Sequence, residues 1–373
     1  MEKTRIVILR SNPVNPDSRV EKEAKTLSNN GFFTTIIAWD REENYKSKKD
    51  ILFDQIPIIR KGIKASFGDG MKNIIPFIKF QLYLLHWLIK NKKNYDIVHA
   101  CDFDTAFITM IASFITRRKM VFDIFDYLST DANNIFSKII KFFEDSIINY
   151  ADATIICTEE RIKQIKDAKP KKMIVIHNTP SYKDVGFIVN NTKITKIVYV
   201  GILQDYRLLK EVANVIIKHP NLELHIAGFG KYEDYFVDLS DKYENIKFYG
   251  KISYEKAIEL ESQCDVMLAI YDPNIGNHIF AAPNKFYESL MLGKPVIMVK
   301  NTGMSSVVEK YDIGECIDYN QCSFEQGLLH LISRKNEWKT MHYKMKKLYL
   351  EDYSWHTMEI RLIGLYNDLF YGG

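Results

Sequence analysis

Short apolar runs alternate with longer helical patterns from one end of the chain to the other. RIVIL (5–9), TTIIA (34–38), DIVHA (96–100), MVFDI (120–124), ATIIC (153–157) and MIVIH (173–177) predict strands in the first half. KIVYV (196–200), LELHIA (222–227), IKFYG (246–250), VMLAI (266–270) and VIMV (296–299) do so in the second. Most of these runs are continuously apolar rather than alternating, as parallel strands covered on both faces are. Helical stretches separate them, so the pattern is βαβ, in two blocks. The segment NTPSYKDVGFIVNNTK (178–193) lacks helical spacing and is rich in turn residues, which marks the boundary between the blocks. The expected organisation is an N-terminal unit over 1–183, a C-terminal unit over 184–350 and a terminal helix in 351–373 that packs on either unit, with a return to the first among the arrangements open to it. The expected class is α/β, two Rossmann-like doubly wound sheets facing across a cleft, with ligands taken up by the loops after the strands.

Composition narrows the picture. A chain of 373 residues with 46% hydrophobic and 26% charged residues is globular and long enough for two cores. Lys+Arg 51 against Asp+Glu 47 leaves +4, too weak a bias to imply nucleic acid. The cysteines at 101, 157, 264, 316 and 322 are scattered, with no CxxC and no Cys/His cluster in sequence; they predict reduced thiols in the cytoplasm and no metal site. The start, MEKTRIVILRSNP, enters a charged strand at once, so no secretory signal is expected. The apolar run 74–89 is about 16 residues long, short of the ~20 a spanning helix needs. Lys79, Tyr83, His86 and Lys90 also give it a polar stripe, so it is not expected to span.

Three segments carry candidate chemistry. PNKFYESLMLGKPVIMV (283–299) predicts a loop, a helix, a tight turn and a buried strand. Asn284 and Lys285 would lie at the helix N-terminus, where partial positive charge and a full ammonium suit a diphosphate. Glu288, one turn on, would accept bonds from vicinal ribose hydroxyls; the plain alternative is a Lys–Glu pair on a solvated helix face. YVGILQDYRLLKEVANVI (199–216) ends a strand at Gly201 and puts Arg207 and Lys210 near the following helix start, a second phosphate-seeking position or simply a basic helix start. LHIAGFGKYEDYF (224–236) offers Gly228 and Gly230 after a strand. No complete dinucleotide fingerprint and no GxxxxGK[ST] occur, which disfavours nicotinamide, flavin and P-loop enzymes.

Taken in order, these segments resemble the family 4 glycosyltransferases of GT-B fold. NPDSRVEKEAKTLSNNGFFTTIIAWDR (15–41), DIVHACD (96–102), ADATIICTEE (151–160), VIHNTP (175–180), YVGIL…R (199–207), HIAGFG (225–230), IKFYGKIS (246–253), CDVMLAIY (264–271) and PNKFYESLMLGKPVI (283–297) carry the resemblance over nearly the whole chain. It implies a retaining sugar transfer from a nucleotide-sugar donor, with no metal or other cofactor. The C-terminal unit would bind the donor and the N-terminal unit the acceptor. Arg207 and Lys285 would hold the diphosphate and stabilise it as it leaves. Glu288 would take the ribose, while the Gly228–Gly230 loop, Lys251 and Ile252 would flank the base. The leaving phosphate itself would help deprotonate the acceptor. Phe280 stands where relatives carry a glutamate that contacts the donor sugar, implying another donor pose, such as a deoxy or N-acetylated sugar. Phe125 replaces a frequent histidine beside Asp126; Asp126, His99 and Asp102 are candidates for contacts at the reacting sugar or acceptor, or structural strand-end residues. Arg19 would meet an acceptor phosphate or close on the other unit, or simply follow a cap at Asp17 or Ser18.

The expected activity is a hexosyltransferase-type, bacterial enzyme building capsule, O-antigen or exopolysaccharide on a glycan or lipid-linked acceptor. The alternatives are a sugar-nucleotide epimerase on the same fold or a non-catalytic partner subunit. The expected location is cytoplasmic, peripheral on the inner membrane face. Helices at 74–90 and 135–150 would supply an anionic-membrane surface, the first followed by Lys92 and Lys93. In the second, Phe136, Ile139, Ile140, Phe143 and Ile147 predict the stripe on the sheet, leaving Ile135, Phe142 and Ile148 outside it.

Overall fold

A computed structural model describes residues 4–45, 49–66, 73–128, 135–184, 186 and 193–371. The chain forms two compact units, Met1–His177 with Met358–Gly373, and Asn178–Thr357. The divisions at 177/178 and 357/358 lie close to the 183/184 and 350/351 read from the sequence.

In the N-terminal unit the described elements run β1 (Arg5–Arg10), α1 (Ser18–Asn29), β2 (Phe33–Asp40), β3 (Lys49–Leu52), β4 (Ile56–Gly62), α2 (Ile74–Lys90), β5 (Ile97–Cys101), α3 (Phe103–Thr116), β6 (Lys119–Ile124), α4 (Ile135–Tyr150), β7 (Ala153–Ile156) and β8 (Met173–Val175). Their sheet has the order β3-β4-β2-β1-β5-β6-β7-β8. All neighbours pair in parallel except β3 and β4, an antiparallel hairpin at the edge. That hairpin is new relative to the sequence reading. KDIL and IPIIRKG carry charges and a proline, which an edge tolerates and a central strand does not.

The C-terminal unit contains β9 (Thr195–Ile202), α5 (Leu209–Lys218), β10 (Leu222–Phe229), α6 (Glu233–Lys242), β11 (Ile246–Phe248), α7 (Tyr254–Gln263), β12 (Val266–Ala269), α8 (Asn284–Leu292), β13 (Val296–Val299), α9 (Ser305–Tyr311), β14 (Gly314–Ile317), α10 (Gln321–Ser333) and α11 (Trp338–Leu348). Here the order is β11-β10-β9-β12-β13-β14, parallel throughout. Strand order therefore reverses between β9 and β12, the place where doubly wound sheets bind ligands. The predicted strands β9 to β13 are all present, and β14 is added beyond them.

The terminal helix α12 (Trp355–Tyr371) leaves the C-terminal unit and belongs to the N-terminal one from Met358 onward. It buries Met358, Leu362, Leu365, Tyr366 and Leu369 at helical spacing. Tyr366 donates its hydroxyl to, or accepts from, His99 Nδ1 at 2.7 Å, and Thr26 Oγ1 donates to Glu359 at 2.9 Å.

On α2, Phe80, Leu84 and Leu88 are buried, while Ile75 and Leu82 stay 67% and 59% exposed. On α4 the inward face differs from the expected stripe. Ile147 and Ile148 are both buried, Ile139 is exposed with Ile135 and Phe142, and Phe136 lies outside the described side chains. Glu144 explains the rotation: its carboxylate is drawn inward to accept from Leu128 N at 2.8 Å, so the face centred on it turns in. Among the described residues no helix is long and apolar enough to cross a membrane.

Candidate active site

A cavity of about 480 Å³ opens within the C-terminal unit at the strand-order reversal. The end of β9 (Gly201, Ile202), the residues after β12 (Tyr271), Ile252, Tyr254 on α7 and the start of α8 line it. Of the residues read from the sequence it gathers Gly201, Arg207, Ile252, Asn284, Lys285 and Glu288. Phe286, Tyr287, Leu290 and Met291 bury α8 in the core, which aims its N-terminus, with Pro283, Asn284 and Lys285, at the cavity. A helix start there supplies partial positive charge and N–H donors.

Several contacts hold Arg207. Its guanidinium lies 3.9 Å from the Tyr271 ring centre, and Nη1 donates to Tyr206 O at 3.0 Å. Nη1 also lies 3.3 Å from His278 Nε2. His278 Nδ1 sits 3.0 Å from the Asp272 carbonyl and must donate to it, which leaves Nε2 as the acceptor for arginine. Tyr199 Oη donates to Ile202 O at 2.9 Å, and burial pushes its phenol up to about 12, so it is neutral at the cavity wall.

Lys285 is not on a solvated face. Its Nζ donates to Glu261 Oε1 at 2.8 Å and to Glu288 Oε2 at 2.5 Å. Glu261 is fully buried and Glu288 is 2% exposed. Burial would lower the Lys285 ammonium, but Glu288 and Glu261 outweigh it and hold it above its ordinary range. Burial, reinforced by Glu288, pushes Glu261 up to about 8 against the pull of Lys285. Glu261 was not among the sequence candidates. The signal lay in α7, where Glu261 falls one turn after Ala257 and Ile258, a charge on the apolar stripe.

The other donor-site candidates lie elsewhere. Lys210 Nζ sits 4.4 Å over the Tyr232 ring and does not line the cavity. Lys251 Nζ lies 5.1 Å from the Phe229 ring centre, and Phe280 occupies a short helical turn at 278–280; neither lines it. Gly228 and Gly230 are demanded by chain packing. At Gly228, φ is +147° and a Cβ would fall 1.8 Å from Gly201 O, so only glycine lets β10 lie this close to β9. Gly230 N donates to Glu233 Oε1 at 2.7 Å.

In the N-terminal unit the candidates are largely spent on one another. Arg19 is 3% exposed and does not face outward. It donates to Asp123 Oδ1 at 2.7 Å and Ile176 O at 2.7 Å, and pairs with Glu23 at 3.1 Å. His99 is fully buried between Tyr366 and Asp123 Oδ2, the latter at 3.3 Å. Burial works against an ionised Asp123, yet Arg19 and His99 hold it below the usual carboxylate range; burial and Asp123 push Glu23 well up. Cys101 joins His99 and Asp123, their donor atoms within 4.8 Å of one another, a grouping the sequence spacing had not indicated. Arg19 already supplies the positive charge at that carboxylate, which opposes a cation there. Asp102 accepts from Phe125 N at 2.9 Å and Asp126 N at 3.2 Å and pairs with Arg10; burial pushes it up to about 6 despite that arginine. Asp126 is exposed and pairs with Arg161 at 2.9 Å. Arg10 and Arg19 stack on Phe125, 4.3 and 4.6 Å from its ring centre.

Residues 158–348 match the model of the family described as glycosyl transferases group 1, just over half of the chain. The chain belongs to the group 1 glycosyl transferases. Solved structures agree on the GT-B fold of this glycosyltransferase. Sucrose-phosphate synthase from Thermosynechococcus elongatus superposes with a TM-score of 0.75 at 13% identity, covering 100% of both chains. HepE of Anabaena, solved in complex with UDP and glucose, gives 0.69 at 16% identity, covering 98% of this chain and 100% of its own. The lipopolysaccharide outer core galactosyltransferase WaaB gives 0.68 at 14% identity, with 99% and 100% covered. No curated protein matches the sequence closely enough to count as a relative.

Proposed function

We propose that this glycosyltransferase takes a nucleotide sugar in the cavity of its C-terminal unit and transfers the hexose, without metal and with retention, to a glycan or lipid-linked acceptor of a cell-surface polysaccharide. The observation that carries the reading is the convergence of Arg207, Lys285 and the α8 N-terminus on one cavity at the strand-order reversal, with Glu288 beside them. Two cationic side chains and a helix start suit a diphosphate, and a carboxylate one turn along suits the ribose. As the sugar bond breaks, negative charge builds on the leaving diphosphate. Fixed cations there lower the barrier. HepE's occurrence with UDP and WaaB's role in a surface glycan favour this donor and acceptor class.

The test is a thermal-shift panel against UDP, GDP, CDP, dTDP and ADP without added metal. A selective rise, lost in Arg207→Ala and Glu288→Ala, is expected. No shift with any of them would overturn the donor site and leave a non-catalytic subunit as the better reading.

An anionic membrane is the proposed location of the acceptor. Ile75, Leu82 and Phe142 stay outside, beside exposed Lys79, Lys90 and Lys138. Co-flotation with phosphatidylglycerol vesicles and not with phosphatidylcholine vesicles is expected; flotation with neither refutes it.

A further inference from the structure

Two carboxylates share one ammonium at the cavity. Lys285 Nζ reaches Glu261 Oε1 at 2.8 Å and Glu288 Oε2 at 2.5 Å; Glu261 is fully buried, and Glu288 lines the cavity with 2% of its surface exposed. With all three ionised the trio is net negative, and the lysine is turned toward its own glutamates. A nucleoside diphosphate would then meet a neutralised lysine and a surplus anion, which opposes binding. Glu261 Oε2 is enclosed and has no hydrogen-bond partner among the described residues, so an ionised carboxylate is poorly supported at that oxygen.

Building on the donor-site reading above, we propose that Glu261 is a positioning residue that must carry a proton while a nucleoside diphosphate is bound, taking it from solvent wherever the pH has left it ionised, which frees Lys285 for the phosphates and leaves Glu288 as the one anion for the ribose. The charge then balances: the phosphates replace Glu261 as the partner of the ammonium, and Glu261 becomes a neutral acid in an apolar place. Burial and Glu288 push Glu261 up to about 8, so the exchange falls within an accessible pH range. Four groups near it are held outside that range. On α7, Tyr254, whose ring is half exposed while its hydroxyl is desolvated, is held far above its ordinary range by that desolvation and by both glutamates, and Cys264 just after that helix is pushed up to about 12. Tyr199 from β9 is likewise pushed up to about 12, and Lys285 from α8 is held above its ordinary range.

The test is calorimetric titration of the whole protein with the diphosphate selected by the panel, in two buffers of different ionisation enthalpy. A terminal phosphate with its second pKa near 6 is already ionised at pH 8.5. Uptake of ~0.8 proton at pH 8.5 and no more than ~0.1 at pH 7 is expected, with binding about fourfold weaker at the higher pH. Glu261→Gln, which fixes the neutral form, should bind equally at both pH values with no proton uptake. Binding by the natural protein without uptake and without pH dependence overturns the role of Glu261 and leaves the donor site standing. No binding of any diphosphate overturns the donor site and this inference with it. Should the glutamine variant fail to fold, proton count and pH dependence in the natural protein still decide.

Discussion

Glu261→Gln also has a consequence for stability that needs no substrate. Burial and Glu288 raise the Glu261 carboxyl from its ordinary 4.5 to about 8 in the folded chain. Between those values the folded protein keeps a proton that the unfolded chain has released. Stability falls with pH wherever the folded state binds more protons, so the loss begins above pH 4.5 and is complete above pH 8. Each unit is worth ~1.4 kcal/mol, which makes the decline between pH 5 and 8 about 4 kcal/mol for this one group. Glutamine matches the protonated carboxyl in shape and does not titrate. The variant should therefore equal the natural protein near pH 5 and exceed it by about 4 kcal/mol near pH 8. For a unit of this size that corresponds to roughly 10 °C in melting temperature. Calorimetric melting of both proteins from pH 5 to 8, with no nucleotide present, reads the difference, and other titrating groups cancel in the comparison. Parallel pH profiles, or a glutamine variant less stable at pH 8, would refute the reasoning.

Lys285→Ala should cut turnover by ~10²–10³-fold while leaving the acceptor KM nearly unchanged, as loss of a charge aimed at the leaving group does; an unaltered rate sinks the diphosphate assignment. Tyr366→Phe strands the buried His99 Nδ1 and should cost ~1–3 kcal/mol in the N-terminal unit, with α12 cut earlier in limited proteolysis. A proteolysis pattern and melting point like those of the natural protein count against that anchor. Gly228→Ala forces a Cβ onto Gly201 O at φ +147° and should cost about 3 kcal/mol or more, whereas Gly364→Ala, with nothing within 4 Å among the described residues, should gain up to ~1 kcal/mol. Equal melting of the two glycine variants would show that the close approach of β9 and β10 is not what requires glycine at 228.

Most strands of both sheets were legible in the sequence because the central ones are buried and read as unbroken apolar runs; the edge strand β14, GECI, has one buried residue and was not. Nor was the edge hairpin β3–β4, since three of the four β3 residues are exposed and the pair includes charges and Pro57. The inward face of α4 was misread for a related reason. Glu144 is turned in by Leu128 N, a bond sixteen residues away along the chain that helical spacing does not encode.

The two units differ in how far their chemistry could be read, and the difference has a physical origin. In the C-terminal unit, Asn284, Lys285 and Glu288 stand on one turn of α8, so local spacing already brings them together. Arg207 joins them through a single loop after β9. In the N-terminal unit the polar residues at the strand ends find partners far along the chain: Arg19 on Asp123, His99 on Tyr366. A lone arginine or histidine after a strand looks equally available in sequence, whether it meets a ligand or a buried carboxylate. Burial then decides. An arginine 3% exposed between Asp123 and Glu23 has its charge spent inside the fold, and removing it would leave two carboxylates facing each other out of water. Loss of activity in an Arg19 variant would therefore reflect a damaged unit rather than a lost acceptor contact.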